Sequence, residues 1–491
     1  MQLGLAALPH LPPDVARPAY DPANVAVGIL HLGLGAFHRA HQAVYTDTVL
    51  ARDPQWGICG VSLKTARATE ALRAQQGLYS VATRSEEGTA ARVVGSVREA
   101  LFAGTDREDV IARLADPRIR VITATVTEKG YCHDSATGAL NIAHPDIAHD
   151  LAHPKAPRSA VGMLVAGLSA RRHAGAGPVT FVCCDNLPHN GETVAGIVRA
   201  FADAQEPALP GWIDDNVKFP STMVDRIVPA TQPSDVDDVE RILGMRDAAP
   251  VVAEAFTQWV IEDRFAAARP SWEEGGAQFV ADVAPFETMK LRLLNGSHST
   301  LAYVGFLLGH EFAWQAALDP QLGALVERQM AEEIMPTVKT PPGIDLRHYS
   351  AQLMQRFRNP ALPHRTHQIA MDGSQKLPQR WLGTVRDRIK AGVSSDLLAF
   401  SVAAWIRYSC GRDEDGNHIA IADPLAVTFA QIVRDTREAP ANLADAFLDL
   451  HQVFGTDLSA NPVFRDAVRR KVVALFRDGM RASLARQLHA T

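Results

Sequence analysis

A lysine, an asparagine and a histidine stand at positions 290, 295 and 298, within the run PFETMKLRLLNGSHS at 285–299. On a helix, with Lys290 taken as zero, Glu287, His298 and Asn295 fall near about 60°, 80° and 140°, so four polar groups share one face. An amine, an amide and an imidazole on one wall suit the oxidation of an alcohol. A deprotonated lysine takes the hydroxyl proton as hydride leaves, and two neutral donors hold the developing oxyanion, with no metal required. Lysine is charged in water, so this role demands a pKa depressed by burial or by nearby positive charge. A solvated helix face also presents polar residues over one arc, and the segment alone leaves both readings open.

The second stretch with chemical content is Gly33-Leu-Gly35, which follows the nearly continuous apolar run from Val25 to Leu32. A strand delivered into two closely spaced glycines and then a helix offers side-chain-free backbone and a helix N-terminus to a dinucleotide pyrophosphate. Leu32, Gly33, Leu34, Gly35, Ala36 and Phe37 are therefore the candidate cofactor-binding residues. His38 stands where the third glycine of such a turn usually packs helix against strand; His38 and His41 read as helix-packing residues. Adenosine-ribose recognition normally places an Asp or Glu at the end of the second strand. NAD is the expected cofactor, but here Leu63 is followed by Lys64-Thr-Ala-Arg67, which tolerates a 2'-phosphate and leaves NADP open. Lys64 and Arg67 fit a solvated loop equally well.

These residues need a scaffold. The runs at 25–32, 56–63, 119–126 and 179–184 read as strands buried on both faces of a parallel sheet, with a shorter one at Val93-Val94. They alternate with helical stretches at about Phe37 to Leu50, Asp109 to Leu114 and Gly191 to Ala204, the pattern of a doubly wound α/β fold. From Phe286 onward long amphipathic patterns dominate, at 286–309, 318–335, 394–412, 424–436 and 463–487. The expected organisation is a dinucleotide-binding Rossmann-type domain over 1–284 and a mostly helical substrate and catalytic domain over 285–491.

Composition narrows the function class. With 47% hydrophobic and 21% charged residues, the chain of 491 residues has a core to bury and room for more than one domain. A net charge of −6 without a long basic block gives no electrostatic reason to expect nucleic acid or an anionic membrane as partner. A small molecule is the expected partner. Cys59, Cys132, Cys183, Cys184 and Cys410 form no C-x-x-C pair and preset no zinc site. Cys183 and Cys184 read as buried strand residues rather than nucleophiles. The N-terminal segment lacks a basic leader and soon meets prolines, so a reduced, cytoplasmic protein is expected. The state is expected to be a monomer or small homo-oligomer.

Five blocks in order resemble the polyol-specific long-chain dehydrogenase/reductase family, also called the mannitol dehydrogenase family. They are GLGAFHRAHQ at 33–42, TVTEKGYC at 125–132, CDNLPHNG at 184–191, FPSTMVDRIVP at 219–229, and Lys290-x4-Asn295-x2-His298. The resemblance spans nearly the whole chain. It implies Lys290 as general base and Asn295 and His298 as binders of the reacting oxygen. It also implies Asn186 and Asp225 as substrate contacts, and Glu287 and Glu128 as carboxylates that relay the base's proton. The blocks at 286–299 and 364–380 look closer to the branch acting on D-fructuronate and D-mannonate than to the mannitol branch. Where the mannitol branch has an Arg eight residues before the lysine matching Lys376, this sequence has Gln368, with Arg365 and His367 upstream. A sugar acid carries a carboxylate that the planar fork of Arg binds bidentately, which makes Arg365 with Lys376 and His367 the candidate clamp. The expected reaction is interconversion of D-mannonate and D-fructuronate. Hexitol oxidation and tagaturonate reduction are the alternatives within the same chemistry, and a non-catalytic dinucleotide sensor is the alternative of another class.

Overall fold

The computed structural model describes residues 1–85, 87–134, 137–437 and 439–489. The chain divides into two compact units, Met1–Ala284 and Pro285–Thr491.

The first unit is built on six strands: β1 (Val27–Leu32), β2 (Gly57–Ser62), β3 (Val97–Phe102), β4 (Val121–Ala124), β5 (Val179–Cys183) and β6 (Val217–Lys218). All pair in parallel, in the spatial order β3-β2-β1-β4-β5-β6. β2, β4 and β5 are buried along their whole length, which is why their sequences are near-continuous apolar runs, broken by the buried Ser62, Thr123 and Thr180, rather than alternating apolar and polar. The order reverses between β1 and β4, and the carboxyl ends of these two strands diverge into a crevice there. The crossover helix Ala160–Ala174 has both ends specified locally. Ser159 accepts the Gly162 N–H at 2.9 Å, and Gly175 turns out at φ 63.

Two expectations need adjustment in this unit. The helix expected from Phe37 to Leu50 is two, Ala36–Ala40 and Gln42–Val49, broken at His41 with φ −124 and ψ −92. The buried His41 ring is tied to the Gln258 carbonyl at 2.9 Å and stacks on Phe37, and these contacts set the bend. The Val93-Val94 run belongs to a separate sheet of Tyr79–Ser85, Gly88–Val94 and Val251–Glu254. A third sheet joins Thr222–Asp225, Gln258–Glu262 and Gln278–Val280.

The second unit is helical, around a core that includes the buried Trp381, Trp405, Phe447 and Phe454. Among the described residues three π-helical turns interrupt it: Lys290–Asn295, Gln329–Ile334 and Pro378–Leu382. The first packs against both of the others. Glu333, in the second π turn, is 4% exposed and accepts the backbone N–H groups of Leu397 and Leu398, each at 2.8 Å, at the start of helix Asp396–Ser409. Burial pushes its carboxyl up to about 7. The folded protein therefore holds this proton more tightly than the unfolded chain does, and the group's contribution to stability declines as pH rises from about 4.5 to about 7. Relative to the parent, Glu333→Gln is expected to gain on the order of 2–3 kcal/mol across that window. Urea unfolding of both proteins at pH 4.5 and pH 7.5 measures it, and a difference independent of pH would refute the assignment.

Candidate functional site

Helix Ala284–Met289 runs into the π turn Lys290–Asn295 and continues as helix Gly296–Leu307. Lys290 opens the π turn, Asn295 closes it, and His298 lies in the first turn beyond. A π turn closes on i→i+5 hydrogen bonds. It brings Asn295 nearer to the azimuth of Lys290 than the α-helical offset of about 140°. Lys290 is buried at 7% exposure and His298 at 9%, while Asn295 and Glu287 are partly buried. A lysine this deeply placed is not on a solvated face.

The turn is held from the third π segment. Arg380 donates to the Asn295 carbonyl at 3.3 Å and to the Ser299 hydroxyl at 2.8 Å, and the Trp381 indole N–H donates to the Gly296 carbonyl at 2.9 Å. The His298 ring stacks on Phe357 at 5.3 Å and meets His364 edge-on at 5.1 Å. Burial holds the His298 imidazole well below its usual range, helped by His364, Arg380, Lys376 and Arg356. Burial, with Lys376, pushes His364 down to about 4. Both rings are neutral at physiological pH, so His298 can donate one hydrogen bond to an oxygen without carrying charge. Sequence reasoning gave no role to Arg356, His364 or Arg380. A residue that fixes a backbone carbonyl, as Arg380 does, has no sequence signature of its own.

Lys376 donates to the carbonyls of Ile369 at 3.3 Å and Met371 at 2.5 Å, and its charge acts on both histidines. Arg365 is exposed, pairs with Glu311 and lies over the Phe312 ring at 5.3 Å.

In the first unit, Gly33, Leu34 and Gly35 line a cleft of 830 Å³, together with Arg39, Lys64, Arg67, Thr125, Val126 and Thr127. Leu32, Ala36 and Phe37 are not on its wall. Gly33 has φ +100, and a Cβ there would sit 2.1 Å from the Thr125 carbonyl oxygen. Gly35 has φ −96 and ψ −175, and a Cβ on it would meet nothing nearer than the Gly33 oxygen at 3.7 Å. Gly33 is thus required by the protein's own backbone, and Gly35 leaves bare backbone facing space, which fits a dinucleotide pyrophosphate. His38 fills the third-glycine position by stacking on His31 at 3.4 Å. His31 bonds Thr123 at 2.7 Å, Thr125 at 2.9 Å and the Gly33 carbonyl at 3.0 Å, and burial pushes it down to about 3. A histidine inside the apolar β1 run was the available signal for this bracing.

Asn186 is exposed in the loop after β5, Glu128 is partly buried after β4, and Asp225 is buried at the end of Thr222–Asp225, opposite Gln258. Cys183 and Cys184 are buried, and burial keeps the Cys184 thiol well above its usual range. Among the described residues, Cys132, His144 and Asp146 each bring one potential metal-ligand atom within 4.8 Å of the others. The His144 Nδ1 already accepts the Asp146 N–H at 3.2 Å, and burial pushes the Cys132 thiol up to about 11, so the group carries no metal assignment. No helix among the described residues is long and apolar enough to cross a membrane.

The family model of the mannitol dehydrogenase Rossmann domain matches residues 27–274, and that of the mannitol dehydrogenase C-terminal domain matches 282–476. The chain is 45% identical to the D-mannonate oxidoreductase of Escherichia coli K12 over 476 residues, which cover 96% of this chain and 98% of that protein. It is 38% identical to the mannitol 2-dehydrogenase of Phaeosphaeria nodorum, over 96% of this chain and 83% of the relative. Among solved structures it matches Pseudomonas fluorescens mannitol 2-dehydrogenase, in ternary complex with NAD and D-mannitol, at a TM-score of 0.91 and 38% identity with both chains fully covered.

Proposed function

Because the chain belongs to the mannitol dehydrogenase family of oxidoreductases, we propose that it interconverts D-mannonate and D-fructuronate with a nicotinamide dinucleotide. The observation that carries the chemistry is the buried Lys290 opening a π turn that closes on Asn295, with a neutral His298 just beyond. When bound, the nicotinamide supplies the hydride acceptor or donor for C5 of the sugar acid. Lys290 takes or returns the hydroxyl proton, and Asn295 and His298 donate hydrogen bonds to the oxygen as its charge grows. Glu287 and Glu128 pass the proton of the base to solvent, and Asn186 and Asp225 bind the remaining hydroxyls. The dinucleotide is held at Gly33–Gly35. NAD is the proposed form, and Lys64 and Arg67 on the cleft wall put NADP in the same comparison.

An acid substrate is supported by charge. Arg356, Lys376 and Arg380 all bear on His298, and a substrate carboxylate is the complement of such a field. The higher identity to a D-mannonate oxidoreductase than to mannitol 2-dehydrogenases points the same way. Rates with fructuronate, tagaturonate and fructose, each with NADH and NADPH, test the proposal. Fructuronate with NADH is expected to be fastest, and a clear preference for fructose would replace the acid with a hexitol oxidised at C2.

As clamp, Arg365 exchanges the Glu311 carboxylate for that of the substrate. Arg365→Ala is then expected to raise KM for fructuronate about tenfold, the worth of one charge-assisted hydrogen bond, with little change in kcat. An unaltered KM would transfer the clamp to Lys376 and Arg380.

A further inference from the structure

Thr125, Val126 and Thr127 form one wall of the cleft that contains the Gly33–Gly35 turn, and that wall is strained. Thr127 has φ 67 and ψ 157, a region that glycine alone occupies without penalty and that a β-branched side chain resists. Such a conformation persists only where the surroundings over-determine it. The Thr127 carbonyl accepts the Gly130 N–H at 2.8 Å, and the Thr127 N–H is held by a carboxylate. Asp185, two residues past β5, accepts the Val126 N–H on Oδ2 at 2.8 Å and the Thr127 N–H on Oδ1 at 2.9 Å. Oδ2 also accepts the Tyr131 hydroxyl at 2.9 Å. The neighbouring Cys184 N–H donates to the Ala124 carbonyl at 2.9 Å, so the ends of β4 and β5 are locked together just before the loops diverge.

We infer that Asp185 is a positioning residue for dinucleotide binding: its carboxylate clamps two successive backbone N–H groups and so holds the strained 125–127 wall against the cofactor cleft. The inference rests on the reading of that cleft as the dinucleotide site. It also places two proposed site residues, since Asn186 follows the clamp on one side and Glu128 follows Thr127 on the other. Only a carboxylate serves. An asparagine of the same shape offers one acceptor oxygen and turns an NH2 group toward the second N–H or the tyrosine hydroxyl. Burial pushes the Asp185 carboxyl up to about 6, still ionised at neutral pH, as the three accepted bonds require.

The test is the NADH dissociation constant, by fluorescence titration of the full-length protein at pH 7.5, for the parent, Asp185→Asn, Thr127→Gly and the double variant. Asp185→Asn is expected to weaken NADH at least about tenfold, the loss of one hydrogen bond to a charged group. Thr127→Gly alone supplies the reference affinity for that background. The double variant is expected to regain most of the lost affinity, because glycine adopts the required conformation without the clamp; a merely structural loss at Asp185 would not be rescued at residue 127. If Asp185→Asn does not fold, Tyr131→Phe decides, with an expected weakening of about threefold for the loss of one of the three bonds. Parent-like affinity in Asp185→Asn, no rescue in the double variant, or parent-like affinity in Tyr131→Phe would overturn the inference. A parent protein that binds neither NADH nor NADPH would instead overturn the reading of the cleft.

Discussion

Lys290→Ala is expected to lower kcat by about two to four orders of magnitude, the usual worth of a positioned general base, while dinucleotide affinity stays at the parent value. Two features of the second unit support so large an effect. Lys290 is buried, so no bulk-solvent base replaces it freely at the reacting hydroxyl. The π turn also sets its azimuth relative to Asn295, so a neighbouring side chain cannot take over by a rotamer change. Single-turnover rates with saturating NAD and D-mannonate measure the chemical step, and small primary amines added to Lys290→Ala should restore part of it in proportion to their basicity. Arg380 and Trp381 anchor the turn through bonds that the substitution leaves in place, so the variant's fold is expected to be retained. Near-parental turnover would remove Lys290 from the mechanism.

The legible part of this molecule is the part governed by periodicity. Strands β1, β2, β4 and β5 announce themselves because a parallel sheet covered on both faces tolerates no polar alternation, and the glycine turn is visible because it follows directly on β1. The π turns are not legible. Over six residues the hydrophobic pattern of a π turn and of an α-helix is the same, and what forces the wider turn at Lys290–Asn295 is long-range packing against the other two π segments. For that reason the angles of an α-helical wheel do not describe the segment that carries Lys290 and Asn295. Groups that act on backbone are hidden as well. Asp185 lies beside Asn186 in a recognisable block, yet the N–H groups it clamps are some sixty positions earlier. His31 looks like one polar residue in an apolar run until Thr123 and Thr125 are placed across from it.

Gly33→Ala is expected to cost about 3 kcal/mol or more of stability and to abolish dinucleotide binding, whereas Gly35→Ala is expected to keep the stability and lose only affinity. The two glycines differ in what a methyl group would meet. At Gly33 the backbone is in the left-handed half of φ space, and the new Cβ would lie 2.1 Å from the Thr125 carbonyl oxygen. That oxygen cannot simply retreat, because the Thr125 N–H is bonded to the Leu32 carbonyl at 2.9 Å and its hydroxyl to the Gly33 carbonyl at 3.0 Å. Relieving the clash therefore prises β1 from β4 at the crevice and moves the cleft wall that Asp185 clamps. At Gly35 the backbone is extended and the methyl group enters open space, so the folded protein has no quarrel with it. A phosphate lying against that backbone does. Gly35→Ala should unfold at the parent's urea midpoint and bind NADH ten- to a hundredfold more weakly, about 1.4–2.8 kcal/mol. If it binds as the parent does, the pyrophosphate does not lie on this turn; if Gly33→Ala unfolds at the parent's midpoint, the close approach of β1 to the 125–127 loop is not what the fold depends on.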